Sequence, residues 1–456
     1  MPLRVAEAFA AAGHELYLVG GSVRDALLDR RRDPLEHDFA TSARPDDTLA
    51  VLRDVADDVY TVGKDFGTIG AIVSGVICEV TTYRDEVYRD DSRKPKVQFS
   101  DDIATDLSRR DFTVNATALR LLPDPEIVDP HGGLVDLGRG VLRTPLDPEI
   151  SFGDDPLRML RLYRFVASLG FDPDRAAVAA VRAMGERLRI VSAERIRDEL
   201  DKLMVGEHVE EALWGIIDSR LADEFLPELP ALAMERDPQH HHKDVLAHTV
   251  AVVGKCPPDR IVRLAALFHD IGKPATREFG EGGVTFHHHE VVGARMTRAR
   301  MRELRYSKDD VAAVSDLVYL HMRAHTFKMG WTDRAVRRYV RDAGPLLEEL
   351  NTLVRCDVTT RNARRARTIQ RRIDELEERI ADLRERESLD AIRPPIDGHA
   401  VMEFLGISPG PLVGDAMDLL LEHRLDEGPY SEGEAFDLLT TWAKERGIEV
   451  TEPREG

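Results

Sequence analysis

The sequence predicts an α+β head at the N-terminus, followed by a mostly α-helical remainder. Strand and helix signals alternate over residues 1–150, beginning with the apolar run LYLV at residues 16–19, which stops at Gly20 and Gly21. From about Phe152 onward, apolar residues recur at the three- and four-residue spacing of amphipathic helices. We therefore expect one mixed domain joined to a helical body.

Composition narrows the class of protein. The 456 residues are enough for about three domains, and the 43% hydrophobic and 32% charged content is typical of a globular protein. The three cysteines, Cys78, Cys256 and Cys356, form no C-x-x-C pair, which excludes a zinc ribbon and favours a reducing compartment. No signal-peptide core or transmembrane-length apolar run occurs, so we expect a cytoplasmic protein with no membrane association.

The acidic net charge of −20 argues against a nucleic-acid partner, because phosphate binding needs clustered lysine and arginine. A protein that reads RNA by shape needs only a local basic stripe, however. Basic residues are dense in three places, each of which is equally typical of a solvated helix face. They are Arg182, Arg187, Arg189, Arg195 and Arg197, then residues 334–338, then residues 361–372.

We expect four segments along the chain. They are the head at 1–150, a helical neck at 151–230, a histidine-bearing helical domain at 231–360, and a coiled-coil-like helix with a small helical tail at 361–456. The seam of that helix consists of Ile369, Ile373, Leu376, Ile380 and Leu383. A seam this short fits packing on the chain's own body as well as dimerisation, so monomer and homodimer both stay open.

The head contains a pattern typical of nucleotidyl transfer. After the glycine pair, SVRDALL begins a helix whose free amides can meet phosphate, with Ser22 as the expected cap. Glu36 and Asp38 then occupy alternate positions of a predicted strand, so both carboxylates leave one face and can share divalent cations. Taken singly, the glycines are typical of a turn and the acids of a surface.

Two further head motifs extend the pattern. Glu79 lies in CEVTTYR, whose alternating β-branched residues predict a strand that carries a third acid. The segment DLSRRDFTVNA follows, where guanidinium forks suit triphosphate oxygens and the Asn115 amide suits a ribose hydroxyl. The alternative is an ordinary solvated basic pair. The candidate residues of this motif are Arg109, Arg110, Asp111 and Asn115.

The neck begins with FGDDPLRMLRLYRF, which predicts one amphipathic helix over residues 152–165. Asp154, Asp155, Arg158 and Arg161 fall at helical spacings of three and four, so several should share a face. From these residues alone, structural salt bridges explain the pattern best.

The second half carries imidazoles and carboxylates on helical, largely apolar stretches. This donor set favours one or two divalent transition metals, whereas a lone histidine on such a face is usually a core residue. Neighbouring His240, His241, His242, His287 and His288 leave the choice between His288 and His289 open, and Lys273 is placed to support an anionic substrate. The expected ligands are His248, His269, Asp270, His289, His321 and Asp357.

These motifs, in this order, resemble the polymerase-β-type nucleotidyltransferases, specifically the bacterial class II CCA-adding enzyme and poly(A) polymerase family. CEVTTYR matches the family's EVTTFR, and RRDFTVNA matches its RRDFTINA; DDPLR resembles its EDxxR motif, and VSAERIRDEL a further family motif. Glu36 and Asp154 depart from it, standing where the family has Asp and Glu. The polar segment DEVYRDDSRKPKVQF occupies the place of a flexible loop that helps the family switch from C to A addition.

The resemblance implies template-independent addition of CCA to tRNA 3′ ends from CTP and ATP, with Glu36 and Asp38 holding two Mg²⁺ ions and Glu79 beside them. Gly20, Gly21 and Arg24 would contact the nucleotide; the alternative for Arg24 is a structural pair with Asp25 or another acid. Asp155 and Arg158 would read the edge of the incoming base, and Arg161 would face phosphate. Arg195 and Arg197 would brace the neck or touch RNA.

The histidine pattern H…HD…H…H…D resembles the HD phosphohydrolase superfamily, which implies a Mn²⁺, Fe²⁺, Ni²⁺ or Co²⁺ site and a possible phosphohydrolase activity. Three alternatives stay open. The chain is then a poly(A) polymerase or partial CC- or A-adding enzyme, an HD phosphohydrolase with a nucleotide-binding head, or an RNA-binding scaffold with both sites inactive.

Overall fold

The computed structural model describes residues 1–30, 36–87, 96–234, 244–280, 283–323, 331–358, 363–387, 392–448 and 450. Most of the predicted flexible loop, the triplet His240 to His242 and the start of the basic run 361–372 lie outside the described residues. The chain divides into two compact units, one of residues 1–231 with 302–306 and one of residues 232–301 with 307–456.

The first unit contains eleven described strands. They are β1 (Leu16–Val19), β2 (Glu36–Thr41), β3 (Asp58–Tyr60), β4 (Thr68–Val73), β5 (Val76–Thr82), β6 (Arg84–Val87), β7 (Lys96–Phe99), β8 (Ala118–Arg120), β9 (Glu126–Val128), β10 (Val141–Leu142) and β11 (Asp172–Pro173). Its helices are α1 (Pro2–Ala11), α2 (Gly21–Leu27), α3 (Pro45–Val55), α4 (Ile103–Ser108), α5 (Gly133–Arg139), α6 (Pro148–Asp154), α7 (Leu157–Leu169), α8 (Arg175–Met184), α9 (Ala193–Met204) and α10 (Val209–Asp218).

The head is built on a seven-stranded mixed sheet in the order β3-β4-β5-β2-β1-β8-β9. Only β2 and β5 run parallel; the other five pairs are antiparallel. One face carries a core in which Phe39 and Val80 pack with Phe9 of α1 and Leu52 of α3. Because successive strand residues alternate between faces, Asp38 and Glu79 leave the opposite face. The strands predicted at residues 16–19 and around Glu36 and Glu79 are confirmed.

The single helix predicted over residues 152–165 is wrong. Helix α6 ends at Asp154, Asp155 is extended (φ −134°, ψ 99°), and α7 starts at Leu157. Pro156 explains the break, since its ring disfavours helical geometry at the residue before it. Asp155 and Arg158 therefore do not share one continuous helix. The break predicted at residues 170–174 is present: Gly170 ends α7 with φ 69°, and β11 follows.

The described residues of the second unit form helices, their connections and one hairpin, which consists of β12 (Glu278–Gly280) and β13 (Gly283–Thr285). Its helices are α11 (Val245–Lys255), α12 (Arg260–Phe268), α13 (His289–Glu303), α14 (Lys308–Leu320), α15 (Asp333–Ala343), α16 (Leu347–Cys356), α17 (Ala363–Glu387), α18 (Gly398–Leu405), α19 (Pro411–Glu427) and α20 (Glu432–Arg446).

Helix α17 confirms the predicted long charged helix, and its seam packs on the chain itself. Ile373, Leu376, Ile380 and Leu383 are buried, and α17 contacts α15 and α16. The α+β head and mostly helical remainder are thus confirmed, whereas the four domain boundaries stay a prediction. Among the described helices, none combines the length and apolarity needed to cross a membrane.

Candidate functional site

Three carboxylates meet on one face of the head sheet. Asp38 of β2 and Glu79 of β5 are direct partners in the parallel ladder, and Glu36 lies two residues before Asp38 on the same face. Partial desolvation raises the pKa of Glu79, and the negative charges of Asp38 and then Glu36 raise it further. The three acids therefore concentrate negative charge that a cation would relieve.

The backbone at Gly20 lies close to the carboxylate of Asp38. Its φ of 68° lies in the left-handed region, and a Cβ at this position would stand 3.1 Å from Arg110 Nη1 and 3.8 Å from Asp38 Oδ2. Any side chain here would intrude between the arginine and the carboxylate. The glycine thus keeps open the space where Asp38, Arg110 and the start of α2 converge.

Ser22 does not cap α2, contrary to the prediction. The helix begins at Gly21 with Gly20 as its N-cap, so Ser22 lies inside it. The Ser22 hydroxyl instead donates to the Glu36 carbonyl oxygen and accepts from the Asp38 amide, both at 3.3 Å. Ser22 therefore ties α2 to the strand segment that carries the two acids, a role that sequence spacing does not reveal.

A buried aspartate orients the arginine pair. Asp106 of α4 is fully buried, and its two carboxylate oxygens lie 2.7 Å from Arg109 Nη2 and 3.0 Å from Arg110 Nη2. Burial alone would raise the pKa of Asp106, but Arg110 and Arg109 hold it below its ordinary value. The i,i+3 and i,i+4 spacing of Asp106 with Arg109 and Arg110 in DLSRR is the sequence pattern that indicates these two ion pairs.

A hydrogen-bonded network joins α2 to the neck helix α7. Arg24 Nη1 donates to Asn115 Oδ1 at 2.6 Å, and Asn115 Nδ2 donates to Asp111 Oδ1 at 2.9 Å. Arg161 Nη2 lies 2.5 Å from Asp111 Oδ2, and Arg161 Nη1 reaches Glu199 Oε1 at 3.5 Å. The polar groups expected at ribose and phosphate thus hold one another in place. Glu199 was not among the predicted residues.

Asp155 and Arg158 are each fixed by separate partners. Asp155 Oδ1 accepts from the amide of Leu157, the first residue of α7, at 3.1 Å, while its Oδ2 lies 2.8 Å from Arg195 Nη2. Arg158 Nη1 donates to the Ser151 hydroxyl at 3.0 Å, and its Nη2 donates to the carbonyl oxygen of Arg109. Arg158 therefore contacts the backbone of the arginine pair that adjoins the carboxylates.

The basic run at residues 334–338 forms ion pairs within its own unit rather than a stripe of excess positive charge. Arg334 pairs with Asp426 at 2.7 Å, and the buried Arg337 pairs with the half-buried Glu387 at 2.8 Å. Arg338 contacts acids of α19. These arginines join α15 to the helices of the tail.

The six predicted ligands of the second unit converge on one cluster of two sets. His248, His269 and Asp357 form the first, and Asp270, His289 and His321 form the second, with the candidate donor atoms of each set within 4.8 Å of one another. His248 Nε2 lies 2.9 Å from Asp357 Oδ1 and 3.3 Å from His269 Nε2, and Asp270 adjoins both sets. His289 is buried in the cluster, whereas the His288 side chain is 83% exposed.

Backbone carbonyl groups orient three of these imidazoles. The Nδ1 atoms of His269, His289 and His321 donate to the carbonyl oxygens of Ala266, Phe286 and Val318, respectively, at 2.6–2.9 Å. Because a carbonyl oxygen only accepts, Nδ1 carries the proton in each neutral ring and Nε2 presents its lone pair to the cluster. Such outer bonds are typical of metal-binding histidines.

Electrostatics in the cluster also suit a cation. Burial lowers the pKa of His289, and burial together with His269 lowers the pKa of His321 to about 3, so both rings are neutral near pH 7. His269 and Lys273 hold the pKa of Asp270 well below its ordinary value despite burial. Among the described atoms, the buried Nε2 of His289 has no hydrogen-bond partner. Neutral imidazoles with an ionised aspartate are the donors that divalent transition metals prefer.

Lys273 is engaged by the same aspartate. Its Nζ lies 2.6 Å from Asp270 Oδ2, so in this state it neutralises the carboxylate rather than pointing to a separate anion. The charge of Lys273 also helps to lower the pKa of Asp270.

Three family models match consecutive parts of the chain. Residues 16–143 match the poly A polymerase head domain, residues 170–232 match the probable RNA and SrmB-binding site of polymerase A, and residues 241–362 match the HD domain. The first range contains the three carboxylates and the arginine pair, and the third contains the six metal-ligand candidates.

Two curated relatives are named as CCA-adding enzymes. The protein of Anoxybacillus flavithermus is 40% identical over 228 residues, which are 50% of this chain and 55% of the relative. That of Leuconostoc citreum is 38% identical over 225 residues, which are 49% of this chain and 53% of the relative. The chain spans about half the length of the curated relatives it matches.

Solved structures share the fold over nearly the whole chain. The Bacillus stearothermophilus CCA-adding enzyme in complex with CTP has a TM-score of 0.72 at 23% identity, covering 98% of each chain. A CCA-adding enzyme with ATP has a TM-score of 0.63 at 17% identity, covering 96% of this chain and 94% of the other. The Thermotoga maritima enzyme complexed with tRNA has a TM-score of 0.58 at 17% identity, covering 96% and 93%. Consecutive parts of the chain are therefore similar to the poly A polymerase head domain, to the RNA and SrmB-binding site of polymerase A and to the HD domain, and the chain shares the fold of solved CCA-adding enzymes.

Proposed function

We propose that this chain adds CCA to the 3′ ends of tRNA, using CTP and ATP. The observation that carries the proposal is the cluster of Glu36, Asp38 and Glu79, which faces Gly20 and Arg110 on one side of the sheet. The names of the relatives support it, as do the CTP, ATP and tRNA complexes of proteins with this fold.

The chemistry of the three carboxylates fits Mg²⁺, because this ion prefers oxygen donors and the repulsion that raises the pKa of Glu79 would be relieved by a cation. Two such ions held by Glu36 and Asp38 would lower the pKa of the attacking RNA 3′-hydroxyl and neutralise the triphosphate. Glu79 would add charge on the side of the attacking hydroxyl.

The other residues of the head would bind and orient the nucleotide. The backbone at Gly20 and Gly21, with the start of α2, would receive phosphate oxygens, and Arg109 and Arg110 would clamp the triphosphate. Arg24 and Asn115, fixed by Asp111, would hold the ribose. Asp155 and Arg158 would offer hydrogen-bonding groups to the base edge once Arg195 releases the aspartate.

One assay tests this proposal. Purified full-length protein is incubated with Mg²⁺, CTP, ATP and a tRNA that ends at the discriminator base, and the products are sequenced. We expect CCA and then a stop. A tail of CC alone, a single A after CC, or a long run of A would identify the partial enzymes or a poly(A) polymerase, and an unextended tRNA would contradict the proposal.

A second candidate activity is metal-dependent phosphohydrolysis by the HD domain. The observation that favours it is the convergence of the two candidate ligand sets, in which three histidines bond backbone carbonyl groups through Nδ1 and leave Nε2 for a metal ion. The imidazole-rich set fits Mn²⁺, Fe²⁺, Ni²⁺ or Co²⁺ better than Mg²⁺. Release of phosphate from nucleoside phosphates or opening of 2′,3′-cyclic nucleotides, dependent on one of these ions, would establish this activity.

A cytoplasmic location and a state of monomer or homodimer stay predictions. Sedimentation of the purified protein with and without tRNA measures the second directly.

A further inference from the structure

Four residues on four adjoining strands share one register in the head sheet. Tyr60 of β3 pairs with Gly70 of β4, Gly70 pairs with Glu79 of β5, and Glu79 pairs with Asp38 of β2. Directly paired residues point to the same face, and neighbouring strands lie about 4.8 Å apart. Tyr60 therefore stands on the carboxylate face, two strands from Glu79.

The Tyr60 ring extends over Gly70 toward those acids. A Cβ at Gly70 would lie 1.9 Å from Tyr60 Cε2 and 2.2 Å from its Cζ, which means that the outer part of the ring occupies the space above the glycine. The residue remains 36% exposed. Burial first, and then the negative charges that include Glu79 and Glu36, raise the pKa of its phenol. The ring thus lies beside the carboxylates with part of its surface open to solvent.

On the opposite side of the carboxylate cluster from Tyr60 lie Gly20 and Arg110. Gly20 and Arg110 adjoin Asp38, on the side away from β5, and there the triphosphate would be held. In nucleotidyl transfer the attacking and leaving oxygens lie roughly in line on opposite sides of the phosphorus. With pyrophosphate leaving toward Arg110, the attacking hydroxyl approaches from the side of Glu79 and Tyr60.

We propose that the Tyr60 ring is a stacking platform for the base of the 3′-terminal nucleotide of the RNA that receives the addition. Aromatic side chains are the usual partners of unpaired RNA bases, and stacking tolerates any base, as is needed for a primer end that changes with each addition. The proposal rests on nucleotidyl transfer at Glu36, Asp38 and Glu79. The alternative is a purely structural role, in which the Tyr60 ring only packs on Gly70 of β4.

Steady-state kinetics of the full chain test this inference. We expect Tyr60→Ala to raise KM for tRNA about tenfold while KM for CTP stays within about twofold, because base–aromatic stacking is lost only on the RNA side. Tyr60→Phe keeps the ring and should rescue the KM for tRNA. Val62→Ala, at a 93% exposed apolar neighbour, is the matched control. Equal KM values for tRNA in wild type and Tyr60→Ala would overturn the proposal.

Gly70→Ala is an independent test of the role of Tyr60, because the new Cβ would displace the Tyr60 ring. We expect it to raise KM for tRNA in the wild type and to add nothing in the Tyr60→Ala background. A wild-type KM for tRNA in Gly70→Ala would show that the ring does not act from above β4.

A binding readout separates failure of this inference from failure of the proposed function. A tRNA with 2-aminopurine as its 3′-terminal base should lose fluorescence on binding wild type and Tyr60→Phe, and lose much less on binding Tyr60→Ala. If the wild type adds no nucleotide but still quenches through Tyr60, the transfer proposal fails and the platform stands. Equal quenching by wild type and Tyr60→Ala would refute the platform even in an active enzyme.

Discussion

Asp111 Oδ2 lies 2.5 Å from Arg161 Nη2, and this ion pair joins the loop after α4 to the neck helix α7. Asp111 also accepts from the Asn115 amide, so one carboxylate links the head motif RRDF to both its own asparagine and the neck. The residues that would surround the nucleotide are therefore held by a network whose charges balance before any ligand binds.

Asp111→Asn should destabilise the protein by about 2–3 kcal/mol, because it leaves Arg161 without its closest counter-charge. Buried pairs broken on one side typically cost more, but the Arg161 side chain is one-third exposed and water screens it. Urea unfolding measures the change. Asp198→Asn, which removes an exposed pair with Arg197, is the control and should change the free energy of unfolding by less than about 1 kcal/mol.

The ion pair of Asp111 and Arg161 should make the free energy of unfolding depend on pH in the acidic range. Burial alone would raise the pKa of Asp111, but Arg161 and the Asn115 amide hold it well below its ordinary value. A carboxyl whose folded pKa is depressed contributes stability that is complete above its unfolded pKa, near 3.9, and is lost as pH falls toward the folded pKa. We expect the free energy of unfolding of wild type to fall below about pH 4 more steeply than that of Asp111→Asn. Parallel curves would contradict this assignment.

Asp38→Asn and Glu36→Gln should lower the rate of nucleotide addition at least about 100-fold while tRNA affinity stays nearly unchanged. Loss of one charge from a cation-binding carboxylate pair costs roughly 3 kcal/mol of transition-state stabilisation. Single-turnover addition of C to a tRNA measures the rate, and filter binding measures affinity. Asp58→Asn, at an exposed acid of β3 in the same sheet, is the matched control. Turnover above a hundredth of wild type would refute the assignment of these acids.

Asp155→Asn should blur selection among CTP, ATP, UTP and GTP while largely sparing the fold. Asparagine retains an acceptor for the Leu157 amide but loses the charge that pairs with Arg195. Misincorporation in the presence of each nucleotide alone is the readout. Asp174→Asn alters a carboxylate that likewise accepts from a backbone amide at the start of a helix, α8, and should leave selectivity unchanged. If both variants select nucleotides as wild type does, Asp155 only holds the Leu157 amide and Arg195 in place.

The sequence predicted the strands of the head because their apolar periods and glycine stops are local properties. It could not predict that Tyr60, Gly70 and Glu79 meet, since that depends on the register of three strands. The same limit applies to Ser22, whose spacing is typical of a cap but whose hydroxyl bonds across to β2. The helical spacing of apolar residues predicted one helix through Asp155. That prediction was wrong because the ring of Pro156 disfavours helical geometry at the residue before it.

The histidine cluster shows the reverse case. Its six candidate ligands could be selected from the order of motifs, but His288 and His289 could not be separated by spacing alone. The structure separates them by backbone geometry, because His288 has a positive φ of 60° and points outward while α13 starts at His289. The backbone conformation of His288, just before α13, therefore determines that the ring of His289, and not that of His288, reaches Asp270.

The two candidate metal sites should be chemically separable, because they use different donors in different domains. Oxygen-only Glu36 and Asp38 suit Mg²⁺, whereas the imidazole-rich cluster around Asp270 suits Mn²⁺, Fe²⁺, Ni²⁺ or Co²⁺. Asp270→Asn keeps the volume of the side chain and an acceptor for Lys273 but removes the charge that adjoins both ligand sets. We expect it to lower bound transition metal, measured by plasma emission, and to abolish any metal-dependent phosphohydrolysis, while CCA addition in Mg²⁺ stays within about twofold of wild type. Asp316→Asn, at an exposed acid of α14, is the control for both readouts.

Two outcomes would contradict this separation of the sites. Loss of both activities in an Asp270→Asn variant that melts like wild type would show that the sites are coupled. A wild type that retains no transition metal after metal-loaded purification would refute the HD site while leaving the head assignment intact.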